Sequence, residues 1–422
     1  MAARADEFVP PVDAVSAPTV ARRRAGFLDR WFAAQVQRRI EPAAVRLELW
    51  DGSSPASPDR PTTGTLVARD RGTLVGLALY PDLYFGEAYT TGRLQIRGEF
   101  EPVLEGLSRA TASSPAWWER IAPHLALPNT LRWSRQNVHH HYDLGNSFYE
   151  RWLDGDMVYT CAYFAEPSMS LEQAQRAKLD LVCRKLRLRA GDTVVEAGCG
   201  WGALALHMAR HYGARVRAFN VSREQLAYAR ERAAREGLAN AVEFIDDDYR
   251  NLSGRYDAFV SVGMLEHVGL RRFNTLADVL KRSLKHDGGR GLLHFIGRDM
   301  PRPTNAWIRR RIFPGCYTPT VAEVATRVLG PAEMSIVDVE NLRLHYAQTL
   351  SHWSDRFAAA RQSIRDEFGD EFAQAWELYL AGSQAAFATG WLQLFQIVFA
   401  PRVSAPPSWT RADLYATNGD GA

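Results

Sequence analysis

The pattern of apolar and polar positions changes its period several times along the second half of the chain. Short apolar runs predict strands, and stretches with apolar residues every three or four positions predict helices. The predicted strands are 193–197, 215–220, 242–246, 256–262 and 291–296, and the predicted helices are 176–188, 222–236 and 271–285. Such alternation is typical of βαβ units, whose parallel sheets bind ligands at the carboxyl ends of the strands.

The order of elements changes after residue 296. Residues 298–325 form an insertion, 335–342 predicts a strand, 345–368 and 370–382 predict two helices, and 391–399 alternates like a final strand. The fold class predicted here is therefore an α/β sheet with helical insertions.

The first part of the chain predicts a small α+β domain over residues 21–110. Its elements are strands at 45–49, 64–69 and 73–79 and a short helix at 100–107. Around it we expect a disordered tail at 1–20, a linker at 111–137, a catalytic domain at 138–405 and a C-terminal tail at 406–422.

A basic helix is predicted from Ala21 to Ile40. Its aromatic and aliphatic residues fall near one face, with arginines interspersed: Phe27, Leu28, Trp31, Phe32, Val36 and Ile40, against Arg22, Arg23, Arg24, Arg30, Arg38 and Arg39. Such a helix could lie on an anionic lipid surface. The alternative is a helix packed on its own domain with solvated arginines.

Composition narrows the class of protein. The chain has 422 residues and a formal net charge of +3, so no electrostatic signature of nucleic-acid binding is visible. No run of about eighteen apolar residues occurs, and residues 1–20 lack the apolar core of a signal peptide. Four scattered cysteines argue against a zinc site or disulfide framework and for a reducing compartment: Cys161, Cys183, Cys199 and Cys316. We expect a cytoplasmic protein that is peripheral at the inner membrane face, and leave a homodimer open.

A string of glycines follows the predicted strand at 193–197. Glu196 is followed by Gly198, Gly200 and Gly202, and a helical pattern begins at Ala203. Residues without Cβ let a flat ligand lie against the backbone, and a helix N-terminus suits a carboxylate. The spacing differs from the G-x-G-x-x-G of dinucleotide sites. We interpret it as the S-adenosylmethionine (SAM) loop of a methyltransferase; taken alone, it could also be a structural turn or bind another nucleotide.

Five further segments bear on the same site: 139–149, 159–164, 261–269, 292–297 and 344–350. The histidines at 139–141 do not predict a metal site, because adjacent side chains diverge and no other ligand lies at suitable spacing. Together with 310–315, the segments resemble the cyclopropane fatty acid synthase family, which includes the cyclopropane mycolic acid synthases. The likeness runs from about His141 to Phe399. The string 85–89 resembles, more weakly, the N-terminal lipid-binding domain of the phospholipid-acting members.

The resemblance implies a SAM-dependent methyltransferase (Rossmann-like) sheet and a specific reaction. A methyl group passes from SAM to the cis double bond of an unsaturated phospholipid acyl chain, and a bound bicarbonate deprotonates the resulting carbocation to close a cyclopropane ring. Such a site should be dry and lined by aromatic faces. The family's bicarbonate ligands correspond to Cys161, Glu266, His294, Ile296 (through its backbone) and Tyr346.

The resemblance also assigns the cofactor contacts. They correspond to Tyr159, Gly198, Gly200, Asn220, Gln225 and Tyr249, and we expect Glu196, the acid just before the glycines, to contact the cofactor as well. Many methyltransferases end the second strand with an acid that holds the ribose, whereas this chain has Asn220 there. Asp246, Asp247 or Asp248 is expected on the adenine side, and the sequence does not choose among them.

A basic cluster in the insertion suggests a contact with the lipid head group. Arg309, Arg310 and Arg311 would suit a phosphodiester, and Tyr317 is a further substrate-side candidate. The alternative is a solvated run of charges.

Three other functions remain open at this stage. The same cation could shift a hydride and yield a methyl- or methylene-branched chain. Plant alkaloid N-methyltransferases also resemble this family, so a small-molecule N-methyltransferase is a second alternative. A non-catalytic lipid-binding protein is the third.

Overall fold

The computed structural model describes residues 24–56, 61–112, 144–402 and 409–415. The first part contains α1 Phe27–Ile40, β1 Val45–Leu49, β2 Gly64–Ala68, α2 Arg71–Leu79, α3 Pro81–Thr90, β3 Leu94–Gly98 and α4 Phe100–Ala112. Its three strands form one sheet in the order β1-β2-β3, in which β1 and β2 run parallel and β2 and β3 antiparallel. The histidines 139–141 and most of the expected linker lie outside the described residues.

The strand predicted at 73–79 is wrong, because these residues form most of α2. The Asp70 side chain accepts hydrogen bonds from the Thr73 backbone N–H at 2.8 Å and its hydroxyl at 2.9 Å, which caps the first turn of a helix. Leu74, Leu77 and Ala78 are then buried on one side. Helix α3 and strand β3 were not predicted at all. Their apolar runs are too short for the period to separate helix from strand.

The helix predicted at 21–40 is confirmed from Phe27 onward, but its apolar residues divide between two faces. Ala33 and Val36 are buried against the small sheet. Phe27, Leu28 and Trp31 are 85%, 56% and 52% exposed. Packing on its own domain is therefore observed for one face of the helix, and contact of the other face with lipid stays a prediction.

The second part of the chain is built on a larger sheet. Its elements are α5 Asn146–Glu150, α6 Leu171–Leu186, β4 Thr193–Ala197, α7 Ala203–Tyr212, β5 Arg215–Asn220, α8 Arg223–Arg235, β6 Val242–Asp246, β7 Ala258–Val262, α9 Leu265–Val268, α10 Phe273–Ser283, β8 Arg290–Gly297, α11 Ala306–Arg311, α12 Val321–Val324, β9 Met334–Asn341, α13 Arg343–Phe368, α14 Asp370–Thr389, β10 Gln393–Pro401 and α15 Ala412–Tyr415.

Seven strands form this sheet in the order β6-β5-β4-β7-β8-β10-β9. The first five run parallel, and β10 is antiparallel to both of its neighbours. The predicted strand positions are confirmed to within two residues. Helix α14 runs seven residues beyond the expected end at Gly382, because that glycine keeps ordinary helical geometry in open space.

The N-terminal part packs on the helical insertions of the larger part. Glu87 of α3 pairs with Arg311 of α11 at 2.6 Å. A Cβ at Gly86 would meet the Trp307 ring at 2.3 Å, so the close approach of these helices requires glycine there. In the part of the chain that the structure describes, no helix is both long enough and apolar enough to cross a membrane.

Candidate active site

The glycine loop joins β4 to α7 at the carboxyl end of the parallel strands. The backbone N–H groups of Gly198 and Cys199 donate to the Phe219 carbonyl at 2.9 and 3.1 Å, which ties the loop to β5. Gly200 has a φ of +53°, and a Cβ there would meet no protein atom within 4 Å. Gly202, with a φ of +84°, would carry its Cβ to 2.7 Å from the Phe244 ring. Thus Gly202 is needed by the fold, whereas Gly200 faces open space.

That open space is a cleft of about 1160 Å³, including its solvent-filled mouth. All seven residues expected to contact the cofactor line the cleft: Tyr159, Glu196, Gly198, Gly200, Asn220, Gln225 and Tyr249. The structure therefore brings the predicted cofactor set together.

Asn220 stands at the end of β5, where many methyltransferases have a ribose-binding acid, and its side chain makes hydrogen bonds there. Its amide nitrogen donates to Gln225 Oε1 at 2.8 Å and to the Gly200 carbonyl at 3.2 Å. Its oxygen accepts from the backbone N–H of Val221 at 2.8 Å. The neutral side chain thus connects the glycine loop to the start of α8.

The structure separates the three aspartates that the sequence left equivalent. Asp246 does not line the cleft and pairs with Arg223 at 3.2 Å. Asp248 lines it, but its two oxygens are held by Arg250 at 2.7 and 2.8 Å. Asp247 also lines the cleft, and the donors that its oxygen Oδ1 accepts from are the Asp248 backbone N–H and an asparagine amide. Asp247 is the better candidate for the adenine side.

Lys178 is a cleft residue that sequence reasoning missed. Its ammonium is buried and donates to Thr160 Oγ1 at 2.8 Å, and burial lowers its pKa to about 8. Burial likewise raises the pKa of Glu196 to about 8, and Glu196 Oε2 has no hydrogen-bond partner among the described residues. The sequence carries one sign of this network. Gln175, Lys178 and Lys185 lie on the buried face of the amphipathic helix α6, where apolar residues are expected.

Glu266 lies in α9, directly beside the cleft. Its neighbours Met264 and His267 line the cofactor cleft, but Glu266 points away to the end of β8. Strand β7 ends at Val262, so the backbone N–H of Ile296 has no strand partner there, and Glu266 Oε1 accepts it at 2.6 Å. Glu266 Oε2 has no partner among the described residues. Burial raises the pKa of Glu266 to about 7 against the lowering effect of the Ile296 N–H.

His294 lies two residues before Ile296, on the same face of β8. Its Nδ1 lies 3.0 Å from the amide nitrogen of Gln396, which is directly opposite on β10. Its Nε2 is buried without a partner among the described residues. Burial, together with the charges of Lys178 and Lys185, lowers the pKa of His294, so the ring is neutral.

Cys161 and Tyr346 close the other side of this region. Both contact the Leu342 carbonyl, with the thiol at 3.9 Å and the Tyr346 backbone N–H at 3.1 Å. Ile296 packs against the apolar cluster that contains Cys161 and Tyr346. Burial raises the pKa of the Cys161 thiol, so it stays protonated. None of the five predicted anion ligands is among the residues that line the cofactor cleft, although Glu266 stands in the chain between the cleft residues Met264 and His267.

The expected head-group arginines are placed differently from one another. Arg311 and Arg310 lie 2.6 and 3.7 Å from Glu87, and these contacts help hold the N-terminal part in place. Arg309 is exposed on the same short helix. Tyr317 donates its hydroxyl to Glu323 at 2.7 Å, and its backbone N–H donates to the Glu266 carbonyl at 2.9 Å. Tyr317 therefore supports the Glu266 segment.

The described residues contain no candidate metal site. Within them, no three His, Cys, Asp or Glu side chains form a group that could hold a metal ion.

Comparison with known proteins identifies the family of this chain. The family described as mycolic acid cyclopropane synthetase matches residues 130–397. A probable fatty acid methyltransferase from Pseudomonas putida is 37% identical over 88% of this chain and 96% of its own. The cyclopropane-fatty-acyl-phospholipid synthase of Escherichia coli K12 is 40% identical over 62% of this chain and 66% of its own. The solved structure of the cyclopropane synthase MmaA2 from Mycobacterium tuberculosis superposes with a TM-score of 0.60 at 28% identity, covering 63% of this chain and 98% of that one.

The sheet, the glycine loop and the cleft define a SAM-dependent methyltransferase. Within that class, the chain belongs to the mycolic acid cyclopropane synthetase family.

Proposed function

We propose that this enzyme transfers a methyl group from SAM to the cis double bond of an unsaturated phospholipid acyl chain and then closes a cyclopropane ring. The observation that carries the proposal is that two buried polar atoms, Glu266 Oε2 and His294 Nε2, each lack a hydrogen-bond partner among the described residues. Glu266 stands in the chain between the cleft residues Met264 and His267, and His294 precedes by two residues Ile296, whose N–H donates to Glu266. Leaving such atoms unpaired costs about 1–3 kcal/mol each, which is expected where a ligand supplies the missing partners.

The chemistry of the five predicted anion ligands fits a small oxyanion such as bicarbonate. A neutral His294 with hydrogen on Nε2 donates, the protonated Cys161 thiol adds no negative charge, and Glu266 is neutral or ionised near pH 7. Ile296 contributes differently from expectation, since its N–H holds Glu266. When bound, bicarbonate would supply a base that SAM does not readily methylate.

The chain's own residues then have distinct tasks. Glu266, fixed through one oxygen by Ile296, orients whatever binds its other oxygen. His294 stabilises negative charge by donation. Because its thiol stays protonated, Cys161 does not compete with the alkene for the methyl group.

Exclusion of water is the second requirement for a carbocation. Trp152, Tyr159 and Trp353 are mutually packed, with ring centroids 5.2–5.7 Å apart. Tyr346 packs against Phe387 at 4.6 Å in the same apolar cluster. Aromatic faces both exclude water and stabilise positive charge.

Access to a bilayer is assigned to the N-terminal part, residues 21–110, in this proposal. The exposed Phe27, Leu28 and Trp31 lie on α1 with the exposed Arg30, and the exposed Arg24 lies three residues before the helix begins. Apolar side chains flanked by arginines suit the interface of an anionic membrane. The enzyme would thus act as a peripheral protein on the cytoplasmic side.

A branched product is the second candidate. Relatives that match nearly the whole chain include the probable fatty acid methyltransferase and a tuberculostearic acid methyltransferase from Mycobacterium tuberculosis, 33% identical over 91% of this chain. Their names state methylation, and the same carbocation leads to a branch if a hydride shifts before the proton leaves.

The deciding experiment uses the purified enzyme, methyl-labelled SAM and vesicles of a monounsaturated phosphatidylglycerol. After transesterification, a cyclopropane adds one CH₂ to the acyl ester and gives high-field ring protons in the NMR spectrum. A methylene branch adds the same mass with vinylidene protons, and a saturated methyl branch adds CH₄ and forms only when a hydride donor is also supplied. Label recovered only in water-soluble amines would contradict acyl-chain transfer altogether.

A further inference from the structure

A row of polar side chains crosses the sheet beside His294. Glu340 on β9 and His294 on β8 both lie directly opposite Gln396 on the intervening strand β10. Lys185, from the last turn of α6, reaches this row from above. Its ammonium donates to Glu340 Oε2 and, at 2.6 Å, to Gln396 Oε1. The amide nitrogen of Gln396 lies 3.0 Å from His294 Nδ1.

The donors and acceptors in this row can be arranged in only one way. An ammonium group only donates, so the Gln396 amide must turn its oxygen toward Lys185. Its NH₂ group then faces the imidazole and donates to Nδ1, which must accept. A neutral ring that accepts at Nδ1 carries its hydrogen on Nε2.

Packing alone does not account for this arrangement. The Lys185 side chain is fully buried and Gln396 is 0% exposed. A buried ion pair is often no more stabilising than apolar side chains of similar volume. Burial also lowers the pKa of Lys185, which Glu340 counteracts. The row is better understood through what it imposes on His294.

We propose that Lys185 is a positioning residue that sets the tautomer of His294 through the Gln396 amide, so that Nε2 is held as a hydrogen-bond donor. Glu340 accepts a second hydrogen bond from Lys185 and helps to hold its nitrogen beside the Gln396 amide. The opposite tautomer would turn a lone pair toward the unpartnered side and repel an anion. This functional consequence rests on the proposed anion site, whereas the tautomer itself does not.

The tautomer is measured directly by NMR on the full chain labelled with ¹⁵N-histidine. The two ring nitrogens of a neutral histidine differ widely in chemical shift, and His294→Gln identifies the signals. In the unmodified enzyme we expect the pyrrole-type nitrogen to be Nε2. Hydrogen on Nδ1 would overturn the proposal whatever the activity.

Two variants isolate the ammonium group. Glu340→Gln removes the counter-charge but keeps the donor, so Nε2–H should persist. Lys185→Met/Glu340→Gln also removes the ammonium, which frees the Gln396 amide to rotate, so Nδ1–H should appear. Lys281→Met, in the exposed pair with Glu333, is the matched surface control. An unchanged tautomer in the folded double variant would refute the relay.

Turnover provides the second measurement. We expect kcat of the double variant to fall about 10- to 100-fold, as for residues that orient a ligand-binding histidine, with the KM for SAM unchanged. Glu340→Gln should retain more activity than the double variant. If the tautomer changes and kcat does not, the relay stands and the anion-binding role of His294 in the proposed function fails.

Discussion

Glu266→Gln should make the enzyme more stable at high pH while disabling it. Glu266 is buried, with one oxygen on the Ile296 N–H at 2.6 Å and the other unpartnered. Burial raises its pKa from the usual 4.5 to about 7, so ionising it in the folded chain costs about 3 kcal/mol. Glutamine has the same shape, can keep the Ile296 bond through its oxygen, and never ionises.

The sign of the pH dependence follows from proton binding. Between pH 4.5 and about 7, the folded chain keeps a proton at Glu266 that the unfolded chain has released. The stabilisation is therefore complete below pH 4.5 and is lost as the pH rises through 7. The stability advantage of Glu266→Gln should grow from near zero at pH 4.5 to about 3 kcal/mol at pH 8.

Urea unfolding at several pH values, without ligands, measures that difference. Glu243→Gln is the control, because Glu243 is an exposed carboxylate paired with Arg217, and no similar growth with pH is expected. In the same samples, kcat should fall by roughly 10²–10⁴, with SAM affinity by calorimetry little changed. A variant that is less stable than the parent at pH 8, or that loses SAM binding while keeping kcat, would refute this account of Glu266.

Three further outcomes test other parts of the site. In Gly200→Ala the new methyl group meets no protein atom but enters the cleft, so calorimetry should show at least tenfold weaker SAM binding. The left-handed backbone should cost only about 1–2 kcal/mol of stability. Unchanged SAM affinity would mean that the cofactor does not bind against Gly200. In Gly202→Ala the Cβ must displace the Phe244 ring, so thermal melting should show a larger loss than Gly200→Ala, and equal melting would contradict the packing. Trp31→Asp, at a side chain that is 52% exposed, should reduce sedimentation with anionic vesicles and leave SAM affinity intact; undiminished sedimentation would remove α1 from the membrane contact.

The sequence predicts the large sheet better than the small one, for a physical reason. In the larger part, each apolar run is bounded by glycines or followed by a long amphipathic helix, so strand and helix periods are distinct. In the N-terminal part, the uniformly apolar run at 73–79 fits either period. Its helix is decided by one cap, Asp70 on Thr73, and by burial against neighbouring elements.

Some residues of the candidate site could be predicted from the sequence and others could not. Residues carried by local motifs, such as Gly200 and Asn220, could be placed from the sequence because the turn and the strand end fix their position. Gln396 and Lys185 could not, since their contact with His294 joins three elements more than a hundred residues apart. Only pairing β10 beside β8 brings the amide opposite the imidazole. Lysines on the buried face of α6 were the one local sign of that network.

Buried polar atoms without partners lower the stability of the ligand-free enzyme, so ligands that supply those partners should stabilise the fold. Glu196, Glu266 and His294 each have one buried polar atom that finds no partner in the part of the chain that the structure describes. A cationic cofactor suits the Glu196 carboxylate, and an anion suits a donor at His294. Any ligand that binds only the folded chain stabilises it, by about 2.7 kcal/mol at a hundred times its Kd. We expect SAM and bicarbonate each to raise the melting temperature of the unmodified enzyme. Met264 and His267, on either side of Glu266 in the chain, line the cofactor cleft. In Glu266→Gln, the shift caused by bicarbonate should shrink more than the shift caused by SAM. If both melting-temperature shifts shrink equally, Glu266 supports the cofactor cleft and not the proposed anion site.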